Sequence, residues 1–290
     1  MKKAFVKIQG GLGNQLHCYA FGKAIEYHHN VDIIYDCYTG FVNDTFNRSF
    51  NLYKFPNIKL GNIISFRNKY DLFILKIFIR LSQFLNSYIP FKCRKFIIEQ
   101  SPYKYQVNLL KTKFLFNPYF TGYWATYKYY NLIKKQLIVE LKPNKSNCPI
   151  ENKYLQLIKN SNACFLHYRT YKEDVTVKHK SLFEYYEQSI NYMNSHFNNI
   201  KIFVFSDDIL IAKANLPLSL NDCVFIENTN DTNDFYLMNQ CNYAIIADST
   251  FSWWAAWLDE DDNKTVIAPK GLSPWGDDWT PDNWVTIFVK

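Results

Sequence analysis

The chain opens with a short strand that ends at glycines and continues as a helix. Residues 4–9 are mostly β-formers, residues 10–14 read GGLGN, and an apolar helical run begins near Leu16. This order predicts an α/β domain whose first helix offers free backbone N–H groups to an anion such as phosphate. Leu16 stands where a dinucleotide-binding fingerprint has its third glycine, which disfavours an NAD site. A purely structural strand–turn–helix corner is the alternative.

Apolar β-segments alternate with helical segments along the whole chain, which predicts α/β layers. We expect strands over residues 4–9, 31–35, 163–167, 200–205, 223–226 and 243–247, with 265–268 as the last. We expect helices over residues 154–159, 181–197, 234–241 and 250–258.

Residues 142–152, KPNKSNCPIEN, combine two prolines with three asparagines and predict a linker. The sequence therefore predicts two α/β domains, residues 1–148 and 149–290, with a ligand cleft between them.

Charge and cysteine usage limit the possible partners. The 290 residues include 33 basic and 26 acidic ones, a net charge of +7 that favours an anionic partner such as a nucleotide or an anionic lipid. The basic residues are dispersed and no nucleic-acid motif is present, so we expect no nucleic acid partner. Seven cysteines without a CxxC pair indicate reduced thiols rather than a zinc site, and we expect a cytoplasmic protein.

Residues 72–85, LFILKIFIRLSQFL, form the most apolar stretch but contain Lys76 and Arg80, and they are too short to span a bilayer. Their period predicts an amphipathic helix, and basic residues continue to Lys95. We favour a helix that packs on its sheet. The alternative is a peripheral contact of residues 72–95 with the inner face of the cytoplasmic membrane.

Polar side chains follow the predicted strand at 163–167. His167 and Arg169 project from one face of an extended chain, and arginine can hold a phosphate with two parallel hydrogen bonds. The alternative is a core histidine beside an arginine paired with a structural carboxylate. Asp234 stands at a predicted helix start, where a carboxylate either caps the helix or accepts hydrogen bonds from a ligand such as guanine.

Two further groups of residues are ambiguous on sequence alone. Ser249, Thr250 and Ser252 follow an apolar strand and open a helix, which is typical either of a phosphate-binding corner or of ordinary N-capping. Asp207 and Asp208 end another strand. One such pair is weak evidence for a metal, and we favour turn-forming carboxylates that cap the next helix.

Taken together, several motifs resemble glycosyltransferase family 11, bacterial α-1,2-fucosyltransferases of O-antigen assembly. They are GGLGNQL with YAFGKA at 10–24, HxR at 167–169, FSDD at 205–208 and LM..C...I.A.STFSWWAAWL at 237–258. The resemblance implies a GT-B architecture, two Rossmann-like domains facing across a cleft, with GDP-fucose held mainly by the C-terminal one. It also implies inverting transfer of L-fucose to the 2-hydroxyl of a β-galactoside, lipid-linked in O-antigen synthesis, without a metal or other cofactor.

The resemblance assigns roles to individual residues. Arg169 would hold the β-phosphate beside His167, and Asp234 would hold the guanine. The other donor-binding positions that it implies are Thr250, Phe251 and Ser252, with Gly11, Gly13, Asn14 and Gln15 on the N-terminal domain.

Residues 167–174 read HYRTYKED where the family usually has HxRRGDY. Thr170 replaces the second arginine, so a related donor such as GDP-colitose is an alternative to GDP-fucose. The acidic position is shifted, which leaves the catalytic base open between Glu173 and Asp174. A catalytically silent protein that binds a nucleotide sugar or a glycan is a further alternative.

Overall fold

The computed structural model describes residues 2–42, 44–63, 69–143, 148–170, 175–217, 223–261, 263–271 and 278–289. The chain divides into two compact units. The first unit comprises Met1–Tyr53, Asn57–Glu140 and Trp275–Thr280, and the second comprises Lys54–Pro56, Leu141–Pro274 and Pro281–Lys290. Each unit therefore contains one short segment that comes from the other half of the sequence.

The first unit is a five-stranded parallel sheet with helices. Its elements are β1 (Lys3–Gln9), α1 (Leu12–His29), β2 (Asp32–Gly40), β3 (Asn62–Ile63), α2 (Lys69–Leu85), β4 (Phe96–Ile98), α3 (Asn108–Lys111), β5 (Tyr119–Thr121) and α4 (Lys134–Glu140). The strand order is β3-β2-β1-β5-β4, and every pairing is parallel. The strand–turn–helix predicted for the start of the chain is confirmed.

Aromatic side chains fill much of the core between α1 and this sheet. Phe21 of α1 stacks on Trp124 with ring centroids 4.4 Å apart, and the Phe120 and Tyr129 rings pack edge-on around this pair. Aromatic pairs of this kind contribute beyond their buried area. The high aromatic content of the sequence thus has a structural use, since large rigid rings fix the position of α1 on β1 and β5.

The second unit is a six-stranded parallel sheet. Its elements are α5 (Pro149–Lys159), β6 (Asn162–Tyr168), α6 (Val175–His196), β7 (Ile200–Ser206), α7 (Ile209–Asn215), β8 (Cys223–Phe225), α8 (Asp231–Asn239), β9 (Tyr243–Ile245), α9 (Thr250–Trp257), β10 (Val266–Lys270) and β11 (Val285–Phe288). The strand order is β11-β10-β9-β6-β7-β8. β6 is buried along nearly its whole length, as expected of a central parallel strand covered on both faces.

Two predictions about element bounds are wrong. Residues 265–268 are not the last strand, because β11 follows at the sheet edge with alternating half-buried and exposed positions, a weaker signal than a buried run. Helix α5 begins inside the predicted linker at Pro149, a residue type well suited to the first position of a helix.

The short segments that belong to the opposite half are held by specific contacts. In the second unit, the buried Phe55 ring packs 5.5 Å from Phe235, and Lys54 Nζ lies 2.7 Å from a carboxylate oxygen of Asp231. In the first unit, Asp278 accepts a hydrogen bond from the Tyr105 backbone N–H at 2.8 Å, next to the buried Trp279. Both segments are integral parts of the unit they join.

Candidate functional site

The sheet of the second unit has a topological switch point between β6 and β9. β7 and β8 lie on one side of β6, and β9, β10 and β11 lie on the other. In open parallel sheets, ligands bind at the carboxyl ends of the strands where the order reverses. At this edge β6 ends in His167 and Tyr168, with Arg169 directly after it, and the chain after β9 leads into the N-terminus of α9.

His167 is a neutral, buried histidine at this edge. It is only 4% exposed, and its ring centroid lies 5.9 Å from that of Phe251. Burial, reinforced by the positive charge of Arg169, lowers the pKa of His167 to about 3. Its Nδ1 atom is buried and has no hydrogen-bond partner. A buried polar atom without a partner is costly, which makes His167 Nδ1 a candidate contact for a polar ligand.

Arg169 is the cation of the site. Its side chain is 47% exposed, and Nη1 lies 3.4 Å from Oδ2 of Asp207 at the end of the neighbouring strand β7. Asp207 Oδ1 accepts a hydrogen bond from the Thr170 backbone N–H at 2.9 Å. The structure therefore confirms the alternative in which Arg169 pairs with a carboxylate. Because this ion pair is exposed and is formed through Nη1, the other guanidinium N–H groups can still bind an anion.

The first turn of α9 lies at the same edge. Ser249 caps the helix, since its side chain accepts a hydrogen bond from the Phe251 N–H at 3.3 Å, and Thr250 and Phe251 are half-buried. The N-terminus of this helix favours negative charge. The predicted contact of the Ser252 hydroxyl with a phosphate is not supported, because Ser252 is fully buried and its hydroxyl donates to the Ser249 carbonyl.

Asp234 lies in the first turn of α8 and is not the cap. Asn230 caps this helix, with its side chain accepting the Thr232 and Asn233 N–H groups at 3.0 Å. The capping explanation of Asp234 is therefore wrong. Burial raises the pKa of Asp234 to about 6, although a hydrogen bond from Thr229 opposes the shift. The adjacent Phe235 packs 5.5 Å from Phe251, which connects Asp234 to the edge that holds His167.

Asp208 and the tryptophans of α9 have structural roles. Asp208 caps α7 by accepting the Leu210 and Ile211 N–H groups at 3.1 Å, as predicted for one member of the carboxylate pair. Trp253 and Trp254 are buried in the core.

The glycine corner, residues 10–14, lies at the switch point of the first unit, where β1 separates β2 from β5. Gly10 has φ of 80°, a left-handed conformation that favours glycine. Gly11 is the N-cap of α1 without a side-chain cap, and a Cβ added there would meet nothing within 4 Å. Gly13 and Asn14 follow in the first turn, and Asn14 Oδ1 is buried without a hydrogen-bond partner.

Gln15 supports this corner from inside the fold. Its side chain is fully buried, and Nε2 donates to the carbonyl oxygens of Gly10 and Ser49, both at 2.9 Å. Oε1 accepts the Asn51 N–H at 2.8 Å. All of these partners belong to the protein, so the Gln15 side chain fixes the backbone of the glycine corner. The predicted donor-binding role would require this side chain to contact a ligand, and the structure does not support that contact.

Glu99 is a residue that the sequence did not point to. It directly follows β4, and its carboxylate accepts the Tyr123 and Trp124 backbone N–H groups at 2.7 and 3.0 Å. Burial raises the pKa of Glu99 to about 7. The Tyr123 ring that this contact positions lies 3.0 Å from where a Cβ on Gly10 would be. The one signal in the sequence that points to Glu99 is its position directly after an apolar strand.

The proposed bases, Glu173 and Asp174, lie outside the described residues. Among the residues that are described, no three His, Cys, Asp or Glu side chains are grouped so that they could hold a metal ion.

Two α/β units, each with a parallel sheet and a helix N-terminus at the switch point of that sheet, have the architecture of the GT-B class of glycosyltransferases. A family model narrows this class. The model of glycosyl transferase family 11 matches residues 4–285, and the chain belongs to that family.

Relatives agree with this assignment. The chain is 31% identical to an α-1,2-colitosyltransferase of Escherichia coli across 99% of both chains. It is also 31% identical to the O-antigen biosynthesis glycosyltransferase WbnK of Escherichia coli, over 45% of this chain and 46% of that one. A crystal structure of NodZ α-1,6-fucosyltransferase soaked with GDP-fucose has a TM-score of 0.50 at 14% identity, covering 89% of this chain and 92% of that chain, a likeness of fold.

Proposed function

We propose that this enzyme transfers a 6-deoxyhexose from its GDP-linked form to the 2-hydroxyl of a β-galactoside, with inversion at the anomeric carbon, in O-antigen synthesis. The end-to-end similarity to an α-1,2-colitosyltransferase carries the proposal. L-fucose is the donor sugar that the family resemblance implies. Colitose is the competing donor, favoured by that relative and by Thr170 in place of the family's second arginine.

The second unit supplies the groups that this reaction needs. Departure of GDP leaves an oxocarbenium-like sugar and concentrates negative charge on the diphosphate. We assign Arg169 and the N-terminus of α9 to that charge, and the buried Nδ1 of His167 to a polar contact. A well-placed donor to a developing charge contributes about 3–4 kcal/mol to the transition state. We further propose that these groups act without a metal, so that excess EDTA leaves turnover unchanged.

Asp234 and Phe251 complete the proposed donor site. The half-buried Asp234 carboxylate can accept two hydrogen bonds from a guanine edge, and Phe251 packs between the positions of His167 and Phe235. Contact of Gly11, Gly13 and Asn14 with the diphosphate stays a prediction.

The acceptor hydroxyl must lose a proton to a base. Glu173 and Asp174 stay the two candidates, and a positioned general base contributes roughly 10²–10⁴-fold. Glu173→Gln and Asp174→Asn, assayed separately, assign the role to the residue whose loss lowers kcat in this range.

A GDP-release assay tests the function. Purified protein is incubated with a β-galactoside and GDP-fucose, GDP-colitose or GDP-mannose in turn, and we expect acceptor-dependent release with one of the first two. Arg169→Ala should lower kcat/KM by about 10²–10³-fold. Its stability should change by less than about 1 kcal/mol, because the ion pair that it removes is exposed.

Asp207→Asn is the matched control, since the amide oxygen can still accept the Thr170 N–H while the charge is lost. We expect a much smaller loss of activity than for Arg169→Ala. Turnover at the wild-type rate by Arg169→Ala would overturn the assignment of that residue. GDP-sugar binding without release in the wild type would instead indicate a silent binding protein.

We also propose that the acceptor is lipid-linked and that the enzyme works peripherally at the inner face of the cytoplasmic membrane. Within the described ranges, no helix combines the length and apolar content that a membrane span requires. The support for a peripheral contact is the character of α2, which carries apolar and basic residues together.

A further inference from the structure

Helix α2 presents large apolar side chains to solvent. Six of them are between 40% and 72% exposed: Phe73, Ile77, Phe78, Leu81, Phe84 and Leu85. Most recur at three- or four-residue spacing and therefore lie on one side of the helix. The expectation that α2 packs on its sheet is met at its C-terminal end, where buried Asn86 donates to the Phe96 carbonyl at 2.9 Å. The Phe78 ring of this face also packs on Phe96 of β4, with ring centroids 6.5 Å apart, while all six side chains stay at least 40% exposed among the described residues.

Basic residues surround this exposed face. Lys76 and Arg80 lie on α2 and are exposed, and the chain continues through Lys92, Arg94 and Lys95. No acidic residue occurs between positions 72 and 98. An apolar face bordered by cations, in a segment without acidic residues, is complementary to an anionic bilayer surface, where each nearby Lys or Arg strengthens binding.

A basic cavity of about 210 Å³ opens in the first unit, at the N-terminal edge of its sheet. Its polar wall is formed by the cations Lys2, Lys3, Lys111 and Lys113 together with the His28 and His29 imidazoles, and its apolar wall includes Ile25, Leu110 and Phe114. No acidic residue lines it. The combination fits an anion attached to an apolar group, such as the phosphate of a phospholipid headgroup.

The cavity and the basic segment after α2 belong to one surface. Phe116 lines the cavity, and Lys95 Nζ lies 5.3 Å above its ring. Phe114 packs against Phe91 with centroids 5.6 Å apart. The neighbouring Leu115 is exposed, and its backbone N–H donates to the Lys92 carbonyl at 2.9 Å. The cavity rim is therefore continuous with the cations that follow α2.

We propose that the first unit docks on an anionic phospholipid bilayer through this surface. The outer face of α2 enters the interfacial layer, Lys92 and Lys95 lie at the headgroups, and the cavity receives a lipid phosphate. The proposal deepens the peripheral placement suggested above and does not depend on the identity of the transferred sugar. Because the glycine corner lies at the opposite, C-terminal edge of the same sheet, lipid in the cavity would leave that corner accessible.

Vesicle sedimentation with the full chain tests this. We expect binding to vesicles of phosphatidylglycerol and phosphatidylcholine, weakening as salt rises, and little binding to pure phosphatidylcholine. Phe84→Ser and the pair Lys111→Gln/Lys113→Gln should each weaken binding at least tenfold. Leu132→Ser, at an apolar residue of the same unit that is 75% exposed, and Lys153→Gln/Lys159→Gln, on the second unit, are the controls and should bind as the wild type does.

Several outcomes would overturn the proposal. One is equal binding of the wild type to anionic and to neutral vesicles, and another is a loss of vesicle binding in the control variants equal to that in the test variants. A third is a change of oligomeric state in Phe84→Ser without a loss of vesicle binding, which would assign the α2 face to a contact with a second copy of the chain. Thermal unfolding of each variant checks that it is folded. Activity on a water-soluble galactoside should be unchanged in the variants, so failure of the docking proposal is distinguishable from failure of the transferase proposal.

Discussion

The backbone of the glycine corner depends on one buried amide, and Gln15→Met tests this dependence. Methionine has a similar volume, so the change removes three hydrogen bonds with little change in packing. The Gly10 carbonyl is buried and would be left unpaired, at about 1–3 kcal/mol. The bonds to Ser49 and Asn51 are half-buried and contribute about 0.5–1.5 kcal/mol each, so we expect a total destabilisation of about 2–6 kcal/mol.

Urea unfolding followed by tryptophan fluorescence measures this loss. The two units can unfold separately, so hydrogen exchange of amides in α1 is measured alongside to assign the transition to the first unit. Gln136→Met is the matched control, because the Gln136 side chain is exposed and donates to the neighbouring Glu140 side chain at 2.8 Å. Its stability should stay within about 0.5 kcal/mol of the wild type.

A functional readout separates positioning from general destabilisation. If the glycine corner binds the diphosphate, Gln15→Met should raise the KM for the GDP-sugar at temperatures where the variant is still folded. A variant with both wild-type stability and a wild-type KM would refute the role given to Gln15. Loss of stability with an unchanged KM would show that the corner is architectural and does not bind the donor.

Four further predictions concern the carboxyl edges of the two sheets. Gly10→Ala should destabilise the first unit by about 1–3 kcal/mol in urea unfolding, because φ is 80° and the new Cβ would lie 2.9 Å from the Asn14 side chain. Gly11→Ala, which meets no neighbour, should leave stability unchanged and raise the donor KM if the diphosphate approaches there. Burial raises the pKa of Glu99 in the folded protein, so the contribution of its protonated form to stability is complete below pH 4.5 and is lost as the pH rises through about 7. Glu99→Gln should flatten this pH dependence of the urea midpoint. A variant whose curve of urea midpoint against pH matches that of the wild type would contradict the prediction. Burial raises the pKa of Asp234 to about 6, so the affinity for the donor, measured by calorimetry, should fall as the pH drops through 6. Asp234→Asn should abolish this dependence. A wild-type donor affinity that does not change with pH would exclude a contact between the donor and the Asp234 carboxylate.

Local order along the chain was the predictable part of this fold. Strand β1, its glycine turn and α1 follow from β-formers, glycines and a helical run, and β6 follows from seven residues of mainly apolar sequence. The position of His167 and Arg169 at the carboxyl edge of the sheet was predictable, because they lie at the end of a buried apolar strand. In a parallel sheet the carboxyl ends of all strands lie at the same edge, so the order of strands and helices along the sequence is enough to predict which residues lie there.

Contacts between distant parts of the chain were not predictable. Nothing local to Asp207 shows that its carboxylate meets Arg169, because that contact depends on β6 and β7 being neighbours in register. Glu99 likewise meets the Tyr123 N–H only because β4 pairs with β5. Sequence gives such residues their chemical type, and the sheet decides their partners.

The exchange of short segments between the units has a consequence for cutting the chain. A fragment ending at Glu140 would retain Phe55 but not the Phe235 ring that covers it. A fragment beginning at Leu141 would carry Asp278 without the Tyr105 N–H that it binds. We therefore expect each piece to be poorly soluble when it is expressed alone, and both to become soluble when they are expressed together. The protein is thus a candidate for a split reporter in which activity returns only when the two fragments meet.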